Sequence, residues 1–270
     1  MKHIRIAALS LAISLVLAVI LFMHEGGRFT EAQMAWLHKG KEDLSRLLAV
    51  PILLYHNVDG SGPFSIESEG LRGHFRLFRD KGICVISLGE LISRIERPAP
   101  FIERVMVITF DDGYPSMYHR LLPMAKEFGY PVTLFVYTDN ISTRPGRGLT
   151  WERLREMDRA GIDIQAHSIS HPDLTRISMK GGPDAGKRLY EEMYLSRRIL
   201  EMRLGKKIEY FAFPYGRYDP ELVMRAVDAG YRRVFSTDYG SNIITRDNSC
   251  LRRQHIKSNY TINYVELLIR

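Results

Sequence analysis

Met-Val-Ile-Thr-Phe-Asp-Asp-Gly, at residues 106–113, is the stretch that decides the fold of this 270-residue chain. Residues 105–110 have the length and β-branched content of a buried strand, and two adjacent carboxylates, Asp111 and Asp112, end it. α/β folds place their chemistry where such strands end. Gly113 permits a sharp turn there. We therefore expect both carboxylates to reach one cavity, one to bind a metal and one to transfer a proton.

A second apolar segment, residues 161–166, is followed by two histidines, His167 and His171. Their spacing predicts that both imidazoles lie on one side of a helical turn. One carboxylate and two neutral imidazoles form a three-ligand set that leaves coordination positions open, as a catalytic metal site requires. Either motif alone is common by chance, but their joint placement after strands predicts a site. Zn²⁺ is the first expectation, with Co²⁺, Ni²⁺ and Fe²⁺ as alternatives.

Three motifs occur in an order that resembles the polysaccharide deacetylases of carbohydrate esterase family 4, which share the NodB homology domain. The motifs are Thr109-Phe-Asp-Asp-Gly113, His167-Ser-Ile-Ser-His171 and Phe211-Ala-Phe-Pro-Tyr-Gly216. The resemblance covers roughly residues 51–270 and implies a distorted (β/α)7-8 barrel. It also implies that Asp111 is the general base and that Asp112, His167 and His171 bind the metal.

One position departs from the family pattern. Many members have an arginine three residues before the tyrosine of the third motif, where it orients the catalytic aspartate, whereas this chain has Ala212. Arg252 or Arg253 is a candidate to supply the missing guanidinium to Asp111, because a neighbouring positive charge would hold the carboxylate ionised. The alternative is that this basic stretch is simply surface.

Deacetylases that act on poly-β-1,6-N-acetylglucosamine in biofilm matrices resemble this chain better than other members do. They share the Phe-Ala-aromatic-Pro pattern and an early Tyr-His segment like residues 51–58. In these relatives the motif that supplies the catalytic acid lies at the start of the domain, so the resemblance implies that His56 is the acid. His255 is the rival. The alternative is that His56 has only a structural role, in which it donates a hydrogen bond to a backbone carbonyl at a strand end.

The implied reaction is hydrolysis of an acetamide, which releases acetate and leaves a free glucosamine unit. The metal and the backbone amide of Tyr215 are expected to stabilise the oxyanion. Tyr114, Pro214, Tyr215 and Trp151 are the candidate substrate-binding residues. Trp151 equally suits the first turn of a helix capped by Thr150.

Strand-like and helix-like segments alternate along the chain, which predicts an α/β fold with a parallel sheet. The predicted strands are residues 51–56, 105–110, 131–137, 162–167, 208–213, 233–236 and 251–257, with 83–86 as an additional one. The clearest predicted helices are residues 117–128 and 185–203. Gly205 and Gly230 are expected to end helices.

The N-terminus predicts export. Lys2 and Arg5 precede residues 6–23, an uncharged apolar stretch long enough to span a membrane. We predict a signal-anchor at residues 1–24, a juxtamembrane spacer at 25–50 and the catalytic domain at 51–270. The predicted location is the cell membrane, with the domain on the periplasmic or extracellular side. A cleaved signal peptide, and hence a secreted enzyme, is the alternative.

The composition of the chain indicates which classes of binding partner to expect. The net charge is +7 and the pI about 9.4, which favours encounters with anionic lipid or an acidic polymer. No basic helix or aromatic RNA-binding motif occurs, so nucleic acid is not an expected partner. Cys84 and Cys250 are either one disulfide or two buried thiols. The sequence does not identify protein partners.

The predicted function is metal-dependent deacetylation of a polysaccharide that contains N-acetylglucosamine, first of all an exopolysaccharide. The alternatives are a non-catalytic carbohydrate-binding relative and a deacetylase of peptidoglycan or chitin oligomers. A phosphatase with an aspartyl nucleophile normally requires carboxylates two residues apart, and it leaves His167 and His171 unexplained.

Overall fold

The computed structural model describes residues 49–97, 103–142, 148–244 and 249–269. The predicted signal-anchor at 1–24, and all but the last two residues of the predicted spacer at 25–50, lie outside these ranges. Within the four ranges, no helix combines the length and hydropathy that crossing a membrane requires.

Parallel strands dominate the described chain. The strands are β1 (Ala49–Val50), β2 (Ile52–Tyr55), β3 (Cys84–Val85), β4 (Val105–Asp111), β5 (Val132–Val136), β6 (Ile162–Ala166), β7 (Tyr210–Ala212), β8 (Arg233–Phe235), β9 (Asn242–Ile243), β10 (Cys250–Leu251) and β11 (Gln254–His255). The main sheet has the order β10-β8-β7-β6-β5-β4-β2-β11, and β3 pairs with β4. Every pairing in this sheet is parallel, which confirms the predicted α/β class.

The segment that contains β10 and β11 closes the sheet into a ring. The ring has seven members when β10 and β11 are counted together as one. β10 pairs with β8 at one edge, and β11 pairs with β2 at the other. The predicted single strand at 251–257 is therefore wrong in detail, because the chain changes its pairing partner between these two short strands. We call residues 250–255 the closing segment.

Side chains alternate between two buried clusters along the ring strands. Val107 on β4 belongs to one cluster and Ile108 to the other, and Ala212 and Phe211 on β7 divide in the same way. Because successive strand residues point to opposite faces, one cluster fills the ring and the other lies beneath the outer helices. Apolar residues on both faces explain why the strands form continuous hydrophobic runs.

Amphipathic helices surround the ring, and the helix at Leu88–Glu96 packs its apolar face against the cluster that fills the ring. They are α1 (Ser68–Asp80), α2 (Leu88–Glu96), α3 (Leu122–Phe128), α4 (Trp151–Arg159), α5 (Leu174–Ser178), α6 (Gly182–Tyr190), α7 (Ser196–Leu204), α8 (Pro220–Asp228) and α9 (Ile262–Leu268). The predicted helices at 117–128 and 185–203 are present. A wide π-helical turn precedes α3 at Met117–Leu121 and α7 at Glu191–Leu195. Gly205 ends α7 in the left-handed conformation, as predicted.

The two cysteines are free thiols on strands that do not pair with each other. The disulfide alternative is therefore wrong, and the two-thiol interpretation is correct. Cys84 is half-buried and Cys250 is buried. Burial raises the pKa of both thiols, that of Cys250 to about 12, so neither is a reactive thiolate at neutral pH.

Candidate active site

The candidate site lies at the carboxyl ends of the ring strands, on side chains that point inward. Val107 belongs to the cluster that fills the ring. Asp111 lies four residues later on β4, so its side chain also points into the ring. Among the described residues, polar side chains that point inward at this end of the ring include His56, Asp111, His167, Arg253 and His255. Strand geometry alone therefore gathers groups that are distant in sequence.

A sharp backbone turn brings Asp112 to the same cavity as Asp111. Asp112 has a φ of 79° and Gly113 one of 78°. Left-handed backbone is costly for a residue with a side chain and persists where the surrounding structure enforces it. At Gly113, an added Cβ would lie 3.2 Å from Val136 and 3.3 Å from Ile141. Both carboxylates consequently line one cavity of about 440 Å³.

His167 and His171 converge through a loop and not through a helix, which corrects the expected helical turn. Residues 167–173 have no helical structure, and Ser168 and His171 have φ values of 76° and 57°. The Ser168 hydroxyl accepts a hydrogen bond from the backbone N–H of His171 at 3.0 Å. The two imidazole centroids are 4.8 Å apart.

Asp112, His167 and His171 form a three-donor cluster whose spacing suits a metal ion. The Nε2 atoms of His167 and His171 lie 3.7 Å and 3.5 Å from Oδ1 of Asp112. Ligands about 2.0–2.1 Å from a tetrahedral Zn²⁺ are separated by about 3.4 Å. Among the described residues, no hydrogen-bond donor reaches the buried Oδ1 of Asp112. An unsatisfied buried carboxylate oxygen facing two imidazole nitrogens fits a cation site.

The backbone carbonyl of Ala212 fixes the tautomer of His167. Nδ1 of His167 lies 2.7 Å from this oxygen, and because a carbonyl only accepts, Nδ1 must carry the proton. Nε2 is then the unprotonated nitrogen that faces Asp112. Such a hydrogen bond behind a histidine is the usual support of a metal ligand.

Burial shifts the pKa values of the cluster in opposite directions. It raises the pKa of Asp112 to about 7, and the neighbouring charge of Asp111 adds to the rise. It lowers the pKa of His167 to about 4 and also lowers that of His171. The imidazoles are therefore neutral at physiological pH, as metal ligation requires. A divalent cation would oppose the rise at Asp112.

Arg253 holds Asp111 through two parallel hydrogen bonds. Its Nη1 and Nη2 donate to Oδ1 and Oδ2 of Asp111, each at 2.7 Å. Its Nε donates to the carbonyl of Ser236 at 3.1 Å, and its guanidinium lies 5.0 Å from the ring centroid of Phe135. Both partners of the ion pair are almost completely buried. This geometry fixes the direction of the carboxylate.

Arg252 does not contact Asp111, although it was an equal candidate for this position. Its side chain is exposed and its Nη1 lies 3.5 Å from the carbonyl of Tyr239. Leu251 and Arg253 are two residues apart and face inward, whereas Arg252 lies between them and faces outward. Strand alternation in the closing segment is the physical reason for the correction.

The Arg253 guanidinium determines the ionisation of Asp111. Burial alone would raise the pKa of Asp111, but the charge and hydrogen bonds of Arg253 lower it well below its usual range. The ion pair thus stabilises the fold above the unfolded pKa of about 3.9, and this is lost as pH falls through the lower folded pKa.

We expect Arg253→Lys to shift the acid limb of the pH profile of kcat/KM upward by about one pH unit or more, since lysine keeps the charge without the two parallel bonds. The melting temperature should also fall, because a buried carboxylate loses partners. The measurement is a pH–rate profile and a thermal melt for wild type, for Arg253→Lys and for a control variant. Arg252→Lys, at the exposed neighbour, is the matched control. Coincident acid limbs for wild type and Arg253→Lys would show that Arg253 does not tune Asp111.

Both candidate acids line the cavity beside each other. The rings of His56 and His255 are 5.0 Å apart, and Phe64 packs against them at 5.3 Å and 4.8 Å. Burial lowers the pKa of His56 to about 4 and that of His255 to about 3. Within the described chain, the buried Nδ1 of His56 has no hydrogen-bond partner, so the structure does not assign it the backbone-carbonyl role.

Two of the four expected substrate-binding residues line the cavity. Tyr114 does so beside Asp112, and the 58% exposed Tyr215 packs its ring against His171 at 4.7 Å. Pro214 is buried and does not belong to the described cavity lining. Trp151 is a core residue in the first turn of α4, where Thr150 caps the helix. Neither side chain lines the cavity, and the structure agrees with the helix-packing alternative for Trp151. A role of these two residues in binding substrate stays a prediction.

Comparison with known proteins places this site in a family. The family model described as "Polysaccharide deacetylase" matches residues 99–234, half of the chain. The chain belongs to the polysaccharide deacetylase family. This confirms the resemblance seen in the three motifs.

Relatives of this chain differ in length from it. YxkH of Bacillus subtilis is 26% identical over 192 residues, which are 71% of this chain and 66% of that protein. The poly-β-1,6-N-acetyl-D-glucosamine N-deacetylase of Escherichia coli is 24% identical over 247 residues, 77% of this chain and 35% of that protein. The chain thus spans two thirds or less of these relatives. The solved structure of IcaB from Ammonifex degensii has a TM-score of 0.73 at 22% identity, covering 82% of this chain and 97% of that one, and shows the same fold.

Glu192 supports the loop that carries His167 and His171, although no sequence motif indicates it. It is 5% exposed and lies on the π-helical turn before α7. Its Oε2 accepts hydrogen bonds from the backbone N–H groups of Ile169 and Ser170, each at 2.9 Å, and its Oε1 accepts one from the Ser170 hydroxyl. Glu192 thereby holds the backbone between the two imidazoles.

We expect Glu192→Gln to weaken metal binding about 10- to 100-fold, the range typical of residues that support metal ligands. Glutamine has one acceptor oxygen, so its amide nitrogen would face one of the donors that the carboxylate now satisfies. The measurement is the Zn²⁺ dissociation constant by competition with a chelator dye. Glu191→Gln, at the more exposed adjacent position, should leave it unchanged. Equal affinities for Glu192→Gln and wild type would leave Glu192 without a role in the loop.

Proposed function

We propose that this chain is a metal-dependent N-deacetylase of a polysaccharide that contains N-acetylglucosamine. The decisive observation is that a base and a metal cluster share one cavity. Oδ2 of Asp111 lies 3.7 Å from Nε2 of His167, so the carboxylate held by Arg253 faces the same space as the three donors. Family membership supports the assignment.

The residues divide the proposed reaction between them. A divalent cation held by Asp112, His167 and His171 would polarise the acetamide carbonyl and lower the pKa of an attacking water. Asp111, kept ionised by Arg253, accepts the proton of that water. The backbone N–H of Tyr215, at the cavity rim, donates to the oxyanion that develops on the carbonyl oxygen. The C–N bond then breaks, and acetate and the sugar amine leave.

His56 is the proposed acid that protonates the sugar amine. Because burial favours its neutral form, its proton must be supplied during the reaction, and the proton that Asp111 accepts from water is available for this transfer. His255, 5.0 Å away, is placed to compete for the role.

We expect His56→Ala to lower kcat about 100-fold, because the departing sugar amine then lacks a proton donor. His255→Ala, the neighbour in the same cavity, should keep kcat within about 3-fold of wild type. The measurement is kcat for both variants at neutral pH, with an N-acetyl substrate whose leaving amine needs a proton and with an activated acetate ester whose leaving group does not. His56→Ala should lose activity on the first substrate only. The opposite pattern, with that loss seen only in His255→Ala, would transfer the acid role to His255.

The proposed polymer is poly-β-1,6-N-acetylglucosamine, on which the Escherichia coli relative acts by name. Peptidoglycan is the second candidate, because the peptidoglycan-N-acetylmuramic acid deacetylase PdaC of Bacillus subtilis is 31% identical over 121 residues, 44% of this chain and 23% of that protein. The test is acetate release from β-1,6-linked N-acetylglucosamine oligomers, peptidoglycan and chitin oligomers by Zn²⁺-loaded protein. Release from the β-1,6 oligomers first is expected, and no release from any of the three would overturn the proposal.

Zn²⁺ is the proposed metal because two imidazoles and one carboxylate suit it, with Co²⁺, Ni²⁺ and Fe²⁺ as alternatives.

Residues 6–23 are proposed to anchor the protein in the cell membrane, with the catalytic domain outside, on the basis of their uncharged sequence after Lys2 and Arg5. An exported enzyme would meet an exopolysaccharide where that polymer accumulates.

A further inference from the structure

The three-residue turn Thr138–Asn140, which we call the bridging turn, lies between the two loops that carry the metal donors. It follows β5, and β5 lies between β4 and β6 in the sheet. Asp112 comes directly after β4, and residues 167–171, which we call the histidine loop, come directly after β6. Because the carboxyl ends of adjacent parallel strands meet at one edge of the sheet, the bridging turn is within reach of both loops. The reaction proposed above assigns it no role.

The bridging turn holds the histidine loop through two backbone hydrogen bonds. The N–H of Thr138 donates to the carbonyl of Ser168 at 3.2 Å, and the N–H of Asp139 donates to the carbonyl of Ile169 at 2.9 Å. Glu192 accepts a hydrogen bond from the N–H of Ile169. The backbone between the two imidazoles is therefore held at its carbonyl groups by the bridging turn and at its N–H groups by Glu192.

The side chain of Asn140 holds the sharp turn at Asp112. Its Nδ2 donates a hydrogen bond to the backbone carbonyl of Asp112 at 3.0 Å. The next carbonyl, that of Gly113, accepts a bond from the backbone N–H of Leu149 at 3.0 Å. Asp112 has left-handed backbone with a φ of 79°, a conformation that persists in a residue with a side chain where the surroundings enforce it. Asn140 is one of the groups that enforce it.

Gly148 leaves the space that Asn140 occupies. A Cβ at position 148 would lie 1.8 Å from the backbone oxygen of Asn140 and 2.6 Å from its side-chain Cγ. Both distances are far below van der Waals contact, so any larger residue would displace Asn140. The chain thus returns past the bridging turn at a separation that requires glycine.

We propose that Asn140 is a positioning residue that sets the separation between Asp112 and the two histidines of the metal site. Its side chain holds the loop of one donor, while the backbone of the same turn holds the loop of the other two. Oδ1 of Asp112 lies 3.7 Å and 3.5 Å from Nε2 of His167 and His171, and a metal site tolerates only a few tenths of an ångström of error in its ligand distances. This inference rests on the metal site of the proposed function.

The test is Asn140→Leu, which keeps nearly the shape of asparagine but removes the donor. We expect the Zn²⁺ dissociation constant, measured by competition with a chelator dye, to rise about 10- to 100-fold. The visible absorption of the Co²⁺-loaded protein, which reports ligand geometry, should change as well. The melting temperature in the presence of a chelator should fall by only a few degrees, as expected for one hydrogen bond in a domain of this size. Asn263→Leu, the same exchange at an exposed position on α9, is the matched control and should leave the affinity and the spectrum unchanged.

Gly148→Ala tests the same link independently, because it displaces Asn140 without removing its amide, and it should also weaken Zn²⁺ binding. Asn140→Ala replaces Asn140→Leu if the latter does not fold. An unchanged Zn²⁺ dissociation constant in Asn140→Leu would overturn the proposal. A lower melting temperature with the affinity and the Co²⁺ spectrum unchanged would do so too, because Asn140 would then be a structural residue only. Absence of acetate release by wild type that binds Zn²⁺ would instead contradict the proposed function, and the affinities of the variants would still decide the role of Asn140.

Discussion

Asp111→Asn is expected to lower kcat by about 10³-fold, within the range for loss of a general base, while the bound metal remains at one equivalent. Asparagine has nearly the shape of aspartate but cannot accept the proton of water. Asp111 is the buried carboxylate that Arg253 holds with two bonds of 2.7 Å, and it lies outside the three-donor cluster. The measurement is acetate release, with metal content determined by elemental analysis of the same samples.

Asp228→Asn, at an exposed position at the end of α8, provides the control for an aspartate replaced outside the cavity. Near-normal turnover in Asp111→Asn would exclude Asp111 as the base. Loss of metal together with turnover would instead make Asp111 a fourth ligand. The 3.7 Å approach of its Oδ2 to His167 makes this second outcome a real test of the division of roles between the two aspartates.

Asp112→Ala and His171→Ala are each expected to lose nearly all bound metal, because each removes one of three protein donors. Zn²⁺ present at 100 times its dissociation constant stabilises a binding protein by about 2.7 kcal/mol. Wild type should therefore melt at a higher temperature with Zn²⁺ than with a chelator, and neither variant should respond. His119→Ala, at an exposed histidine in the turn before α3, should retain both the metal and the thermal shift. A full equivalent of metal in His171→Ala would refute the three-donor cluster.

The parallel sheet was predictable because its strands are buried on both faces. Segments such as residues 105–110 are continuous apolar runs, and their alternation with helical patterns specifies the α/β class. The two short strands of the closing segment could not be predicted from the sequence. A change of pairing partner within six residues leaves no trace in hydropathy, so one strand was predicted where two short ones occur.

The metal donors were predictable from motifs, but the way in which they converge was not. A four-residue spacing suggests a helical turn, whereas left-handed backbone at Ser168 and His171 produces the convergence. Neither residue type reveals such a conformation from sequence. At Trp151, by contrast, the sequence did indicate the local structure. Thr150 before it is a helix-capping residue type, which predicted that Trp151 lies in the first turn of a helix.

Strand alternation could have distinguished Arg253 from Arg252. Leu251 is an apolar residue of the predicted strand, and an inward Leu251 places Arg253 inward and Arg252 outward. Glu192 carries no such signal. Glu192 is 21 residues beyond His171, and its contacts with Ile169 and Ser170 depend on how α6 and α7 pack against the ring.

The most direct test of the shared metal site is an anomalous difference map of Zn²⁺-loaded crystals, collected at the zinc absorption edge. The strongest peak is expected about 2.0–2.2 Å from Asp112 and from Nε2 of both His167 and His171, with Asp111 beyond ligating distance. A strong peak elsewhere, for example between His56 and His255, with none near Asp112 would contradict the account.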